Sequence, residues 1–342
     1  MEEQDFIFLQ RCIQLAELGT GYVNPNPRVG AVIVKNGIII GEGYHTAWGK
    51  PHAEVEAVKT VANPEDLKSA TLYVSLEPCN HYGKTPPCTE LIINAGIPRV
   101  VMGCTDPNPE VSGEGIQKLR LAGIEVIESP DPKPFQSLIA PFAHFMRTGL
   151  PWVTLKWAQS QDGYISLSGE ETPITGEESR IQVHALRASH QVVLVGSRTV
   201  LIDDPRLTTR MYPGPDPQRW VWDTQFEIPN THPFFTSPGK AFRLCYTPKS
   251  ALDIGIPEIS SAHSFLQWAA QTQHISSLLV EGGAETLSFF LKENAWQEIL
   301  KFVNHSLFLQ SGTLAPEIQN LLPVHSVSMK TEPVTKYQYL QA

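Results

Sequence analysis

The sequence predicts an α/β protein of two domains, the first built on a mixed sheet. Three observations carry this. The chain has 342 residues, beyond the roughly 250–300 at which a single hydrophobic core stops growing. Apolar strand-like runs alternate with runs of helical period in both halves, the pattern of layered α/β folds. A hairpin signal near the start adds antiparallel pairing to that series. The proline-dense SPDPKPF (129–135) and RTGLP (147–151) separate the halves, so the expected domains are 1–147 and 148–342.

The elements follow in order. Phe6, Leu9, Cys12, Ile13 and Ala16 recur at helical spacing, and Gly19 closes the run. NPNPRVG turns the chain into the strand AVIV, and Asn36-Gly37 is a hairpin signal before IIIGEG. A helix is expected near His52 through AEVEAVKTVA, then the strand TLYVSL and a loop, EPCNHYGKTPP. A second helix runs from about Cys88 to Gly96, before the strand RVVMGC and the helix GIQKLRLAG. In the second half WVTLKWA and VVLVG read as strands around a helix at Glu177–Ser189, and SSLLVEGGAETLSFFLKE reads as strand, Gly-Gly, helix.

Composition excludes several classes. Hydrophobic residues at 42% and charged residues at 18% describe an ordinary globular chain. The net charge is −9 and no dense basic block appears, which argues against a nucleic-acid partner and for a small-molecule substrate. No apolar run of about 18 residues exists to span a membrane. The acidic N-terminus does not read as a signal peptide. A cytoplasmic enzyme with no membrane partner is expected. The five cysteines are odd in number and scattered, so reduced thiols free to ligate metal are expected rather than a disulfide framework.

The strongest motif is PHAEVEA (51–57) followed by EPCNHYGKTPPC (77–88). It offers His52, Cys79 and Cys88 as zinc ligands, leaving a fourth position for water. A His/Cys/Cys set with a non-ligating glutamate is the established signature of zinc deaminases, and Glu54 stands where the proton shuttle belongs. A purely structural zinc site would want a fourth protein ligand, and His81 and Cys104 sit at no convincing spacing. Eight residues separate the two cysteines rather than the two of the common signature. That loop carries Lys84 and Thr85, which suit a substrate phosphate. An exposed surface lysine accounts for Lys84 alone equally well.

NPNPRVGAVIV, GEGYH, PHAEVEA, SLEPCNHYGKTPPC and TDPNP together resemble the bifunctional pyrimidine deaminase/uracil reductase family of riboflavin biosynthesis. The resemblance covers nearly all of residues 1–147. It implies a cytidine-deaminase-like, three-layer α/β/α domain with a mixed sheet. It also implies zinc on His52, Cys79 and Cys88, Glu54 as proton shuttle, and Asn26 and His45 lining the substrate pocket. The implied substrate is a diaminopyrimidinone bearing a phosphoribosylamino group, hydrolysed to the aminouracil and ammonia.

In the second half, LKWAQSQDGYIS, SGEETPIT, LRASHQVVLVGSRTVLIDDPRLTTR and LLVEGGAETL are similar to the family's reductase domain. That similarity implies a dihydrofolate-reductase-like α/β fold and NADPH-dependent reduction of the opened ribosyl group to ribityl. Thr199, Asp203 and the turn of Gly283, Ala284, Glu285, Thr286, Leu287 and Ser288 would lie near the cofactor. Arg187, Leu207, Arg210 and Glu281 would lie near the substrate, the arginines suiting phosphate. A homodimer or larger homo-oligomer is implied. The chain departs from the family at Gln161 of SQDG, at Glu171 and Pro173, and in FVNHSLFLQSG. Two alternatives stay open here. The second half could be a degenerate scaffold or oligomerisation module. The first half could be a tRNA or other nucleic-acid base deaminase, which the acidic charge and the long cysteine spacing disfavour.

Overall fold

The computed structural model describes residues 3–82, 86–108, 112–167, 172–318 and 321–340. The chain divides into two compact units, Met1–Thr148 and Gly149–Ala342.

The first unit runs α1 (Glu3–Glu17), β1 (Gly30–Lys35), β2 (Ile38–Tyr44), α2 (Ala53–Lys59), β3 (Thr71–Leu76), α3 (Cys88–Ala95), β4 (Arg99–Cys104), α4 (Glu114–Leu121), β5 (Glu125–Glu128), α5 (Lys133–Leu138) and α6 (Ala140–Thr148). Its sheet has the order β2-β1-β3-β4-β5. β1 is antiparallel to both neighbours, whereas β3, β4 and β5 are parallel, so the sheet is mixed. Asn36 and Gly37 turn the β1–β2 hairpin at φ of 51° and 75°, as a type I′ turn requires.

Alternation along β1 sorts the core into two layers. Ala31 and Ile33 pack with Ala53 and Ala57 of α2, Ile92 of α3 and Leu119 of α4. Val32 and Val34 pack with Leu9 and Cys12 of α1 and Phe135 of α5 on the opposite face. Helices on both faces make the expected three-layer α/β/α domain. Buried Asp5 ties α1 to the sheet, accepting bonds from Tyr73 Oη at 2.7 Å and Arg99 Nη2 at 3.0 Å.

Two local expectations shift. α2 stops at Lys59, three residues short of the expected run, because the Thr60 hydroxyl bonds the Ala57 carbonyl and Pro64 opens a separate 3₁₀ turn. SPDPKPF is not only a connection: α5 starts inside it, with proline in its first turn where no amide is needed.

The second unit comprises β6 (Trp152–Ser160), β7 (Tyr164–Ser166), α7 (Glu177–Ser189), β8 (Val192–Gly196), α8 (Ser197–Asp203), β9 (Gln218–Trp222), α9 (Pro233–Thr236), β10 (Ala241–Cys245), β11 (Asp253–Gly255), α10 (Ala262–Gln273), β12 (Ser277–Glu281), α11 (Ala284–Lys292), β13 (Glu298–Asn304), β14 (Thr313–Leu314), β15 (His325–Ser328) and β16 (Val334–Leu340). The main sheet has the order β11-β10-β9-β8-β12-β6-β13-β16-β15. It is parallel from β11 through β13, and β16 and β15 add an antiparallel edge. β12 returns between β8 and β6, so the strand order reverses there. In open α/β sheets ligands bind outside the carboxyl ends of strands at such a switch point.

α10 and α11 cover one face through Phe265, Leu266, Leu287 and Phe290, and Val200 of α8 and Phe234 of α9 pack on the other. α7 is pinned at its first turn by a reciprocal clamp. The Glu332 carboxylate accepts the Gly176 and Ser179 amides. Glu178 in turn accepts the Lys330 and Thr331 amides at 2.8 and 3.0 Å.

Candidate metal centre and cofactor cleft

In the first unit the metal motif closes on itself. His52 is the N-cap of α2, with extended φ and ψ of −72° and 163°, and Glu54 lies in the first turn. Cys79 follows β3, and Cys88 is the first residue of α3. His52 Nδ1 lies 3.5 Å from Cys79 Sγ and 3.4 Å from Cys88 Sγ. All three ligand atoms fall within 4.8 Å of one another. A tetrahedral zinc with its usual bond lengths separates nitrogen and sulfur ligands by about 3.6 Å. The side chains therefore fit the ion in both chemistry and spacing, with Nδ1 as the histidine ligand.

The electrostatics suit the same use. The hydrogen bond from Cys88, reinforced by His52, holds the Cys79 thiol well below the usual thiol range and pushes Cys88 up. The Cys88 amide also donates to Cys79 Sγ at 3.4 Å, so the start of α3 faces a thiolate. Glu54 is 4% exposed. Burial, with the Cys79 charge added, pushes its carboxyl up to about 7, where a group both takes and returns protons near neutrality.

Asn26 and His45 come to the same place. The Asn26 side-chain nitrogen is 3.1 Å from His45 Nε2, and His45 Nδ1 is 3.0 Å from the Pro51 carbonyl. Burial lowers the His45 pKa. The neutral ring therefore donates from Nδ1 to Pro51 and accepts the Asn26 amide at Nε2. The His45 and His52 rings meet edge to face at 5.7 Å. Lys84 and Thr85 lie outside the described residues. Sequence reading missed Glu77, two residues before Cys79 in SLEPC. Its buried carboxylate accepts the amides of Asp106, Gly113, Gly115 and Ile116.

In the second unit the expected residues gather at the carboxyl ends of β8 and β12. A cavity of about 280 Å³ is lined by Ser166, Thr172, Arg187, Asp203, Arg206 and Arg210, with Leu207 beside them. Asp203, expected on the cofactor side, thus shares a cavity with the arginines. Arg187 is not a free phosphate ligand, because it grips buried Glu281 through Nε at 2.6 Å and Nη2 at 2.9 Å. Lys156 Nζ, which sequence reading did not single out, is 3.8 Å from the same carboxylate. Burial alone would raise the Glu281 pKa, but Arg187 and Lys156 more than offset it and hold it low.

Thr199 faces the glycine turn. A Cβ on Gly283 would lie 3.3 Å from Thr199 Oγ1 and 3.4 Å from Thr286 Oγ1. Gly282 and Gly283 both sit at positive φ, 90° and 70°, a conformation that favours glycine. The result is a hydroxyl-lined cradle at the start of α11, suited to a phosphate-bearing ligand. Ala284 and Ser288 are half-buried on α11, and Glu285 is exposed beside Arg198. Leu287 does not face the cradle: it is fully buried in the core against α10. Leu207 is also buried, at φ 51°.

Two of the departures noted in the sequence meet in space. Gln161 Oε1 is 2.6 Å from His305 Nδ1, and the Gln161 amide donates to the Leu307 carbonyl. Asp162 of the same turn accepts the Leu309 and Gln310 amides. The altered SQDG turn thus pairs with the altered FVNHSLFLQSG stretch. Pro173 is exposed, and Glu171 lies outside the described residues.

Fold and sites together define an enzyme with a zinc-site deaminase domain followed by a reductase domain. Residues 2–104 match the profile of the cytidine and deoxycytidylate deaminase zinc-binding region, and residues 151–309 match that of the RibD C-terminal domain. Riboflavin biosynthesis protein RibD of Aquifex aeolicus is 40% identical over 315 residues, covering 89% of this chain and 87% of its own. That of Escherichia coli is 37% identical, covering 88% and 87%. The structure of Acinetobacter baumannii RibD aligns with a TM-score of 0.87 at 34% identity, covering 99% of each chain. A diaminohydroxyphosphoribosylaminopyrimidine deaminase/5-amino-6-(5-phosphoribosylamino)uracil reductase from Thermotoga maritima aligns at 0.89, also with 34% identity and 99% of each chain. The chain belongs to the RibD family of riboflavin biosynthesis proteins, with deaminase and reductase activities. A scaffold-only second half and a nucleic-acid deaminase are not favoured. Among the described residues, no helix is long and apolar enough to cross a membrane.

Proposed function

We propose that the first unit hydrolyses the exocyclic amine of 2,5-diamino-6-(5-phosphoribosylamino)pyrimidin-4(3H)-one, and that the second unit reduces the ribosyl group of the product to ribityl with NADPH. The observation that carries the first half is the His52–Cys79–Cys88 cluster with buried Glu54 beside it. His52, Cys79 and Cys88 hold zinc, which when bound supplies Lewis-acid activation of water at neutral pH. Glu54 takes the proton of the attacking water and delivers it to the ring nitrogen. It then takes the proton of the hydroxyl added to the ring carbon and passes it to the departing amine, so that the C–N bond breaks, a carbonyl forms and ammonia leaves. Asn26 and His45 orient the ring, and Lys84 and Thr85 take the phosphate.

In the second unit NADPH, when bound, supplies the hydride. Thr199 and the turn from Gly283 to Ser288 hold the dinucleotide. The Arg187–Glu281 pair and Leu207 shape the substrate side, Arg210 meets the phosphate, and Asp203 lies between the two ligands. We place the protein in the cytoplasm, where its free cysteines stay reduced. We also propose a homodimer or larger assembly with no nucleic-acid or membrane partner. β15 supports the assembly: it pairs only with β16 among the described residues, and Leu322 and Val324 beside it are 88% and 60% exposed. Incubating the zinc-loaded chain with the diaminopyrimidinone and measuring ammonia, then NADPH oxidation, tests both halves. Ammonia without NADPH oxidation would remove the reductase half. Light scattering of the purified chain tests the assembly, and a monomer at micromolar concentration would remove it.

A further inference from the structure

We propose that Glu77 is a positioning residue for deamination, fixing the Asp106 backbone and the start of α4 against the Cys79 segment. This rests on the deaminase reading above. Glu77 ends the strand-to-loop step two residues before Cys79 and is 5% exposed. Its Oε2 accepts the Asp106 amide at 3.1 Å and the Gly113 amide at 3.0 Å. Its Oε1 accepts the Gly115 amide at 3.0 Å and the Ile116 amide at 3.3 Å. A carboxylate has about four lone-pair sites, and four backbone donors fill them.

α4 needs this group. Its N-cap is Gly113, which offers no side-chain cap, and Glu77 supplies the missing acceptor from another element. The seat is built for close approach. A Cβ on Gly115 would lie 2.2 Å from the Pro78 carbonyl and 3.1 Å from Glu77 Oε1. The Asp106 carboxylate, in turn, accepts the Asn108 amide at 2.8 Å. One carboxylate therefore joins the segment leading to Cys79 with the Asp106 backbone and the start of α4.

The substitution E77Q is nearly isosteric but turns two N–H groups toward backbone donors. In the full-length protein, E77Q is expected to keep zinc at the wild-type ratio and the wild-type reductase rate. The KM for the diaminopyrimidinone should rise about tenfold while kcat changes less than about threefold. G115A, which forces Pro78 and Glu77 apart, should raise KM in the same direction. A merely structural role would lower activity with the folded fraction and leave KM unmoved in both variants; that result, or wild-type kinetics in both, overturns the proposal. A wild-type chain that releases no ammonia overturns the deaminase reading, and the role of Glu77 falls with it.

Discussion

Glu54 and Glu281 are both buried glutamates, yet their surroundings drive them apart. Glu54 has the Cys79 charge as a neighbour and is pushed up to about 7, whereas Glu281 is held ionised by Arg187 and Lys156. The first is suited to moving protons and the second to fixing cations. Replacing Glu54 with Gln is expected to cut deamination by about 10²–10⁴-fold with zinc content unchanged; metal analysis and ammonia release check this together. R187M removes the bidentate partner of a buried carboxylate. It is expected to destabilise the second unit by about 3 kcal/mol, read as a lower unfolding midpoint. The His52–Cys79–Cys88 cluster and Glu54 beside it were legible from spacing alone, because a short motif carries its own geometry. Lys156 and Glu77 were not, since their partners lie far away in sequence.

α7 shows how an element depends on groups outside it. Its register matched the expected Glu177–Ser189 because its apolar period is strong and acidic residues open its first turn. The clamp by Glu332 and Glu178 joins positions more than 150 apart in the chain, which no local pattern reveals. α7 also carries His184, 2% exposed, whose pKa burial and the nearby Arg187 and Arg210 lower to about 4. Above pH 6.5 the ring is neutral in both folded and unfolded states, and its contribution to stability is fully present. Between pH 6.5 and 4 the unfolded chain gains a proton that the fold refuses, and stability is lost at up to about 1.4 kcal/mol per pH unit. H184Q should flatten that part of the stability–pH curve, measured by urea unfolding at several pH values. At the other end of the chain, D5A strips α1 of its tie to Arg99 and Tyr73 and should cost about 2–3 kcal/mol in the same assay.

At the scale of the whole molecule, each unit has its own sheet and its own core. The two candidate sites are built from different groups: cysteines and imidazole in one, a hydroxyl-lined glycine cradle and arginines in the other. Treatment with a zinc chelator is therefore expected to abolish ammonia release while leaving NADPH oxidation with the aminouracil substrate within about twofold of the untreated rate. Loss of both activities together would contradict this independence. The segment between β8 and β12 was the least readable part of the fold. β9 and β10 are five-residue strands, mostly buried on both faces. A parallel strand of that kind shows no two-residue alternation. β10 even buries Arg243, held by Asp223 at 3.0 Å and Asp253 at 2.8 Å.

The amino-acid order alone pointed to the His52, Cys79 and Cys88 cluster, to the glutamate beside it and to the first sheet's mixed pairing. Each is written in residues close together, where spacing fixes geometry through the helix and strand repeats. Tertiary structure alone decided that Arg187 is spoken for by Glu281, that Leu287 turns into the core, and that Gln161 meets His305. It also brought Glu77 to the capless end of α4. Those outcomes depend on which distant groups meet in a space too small and too dry to leave a charge or an amide without a partner.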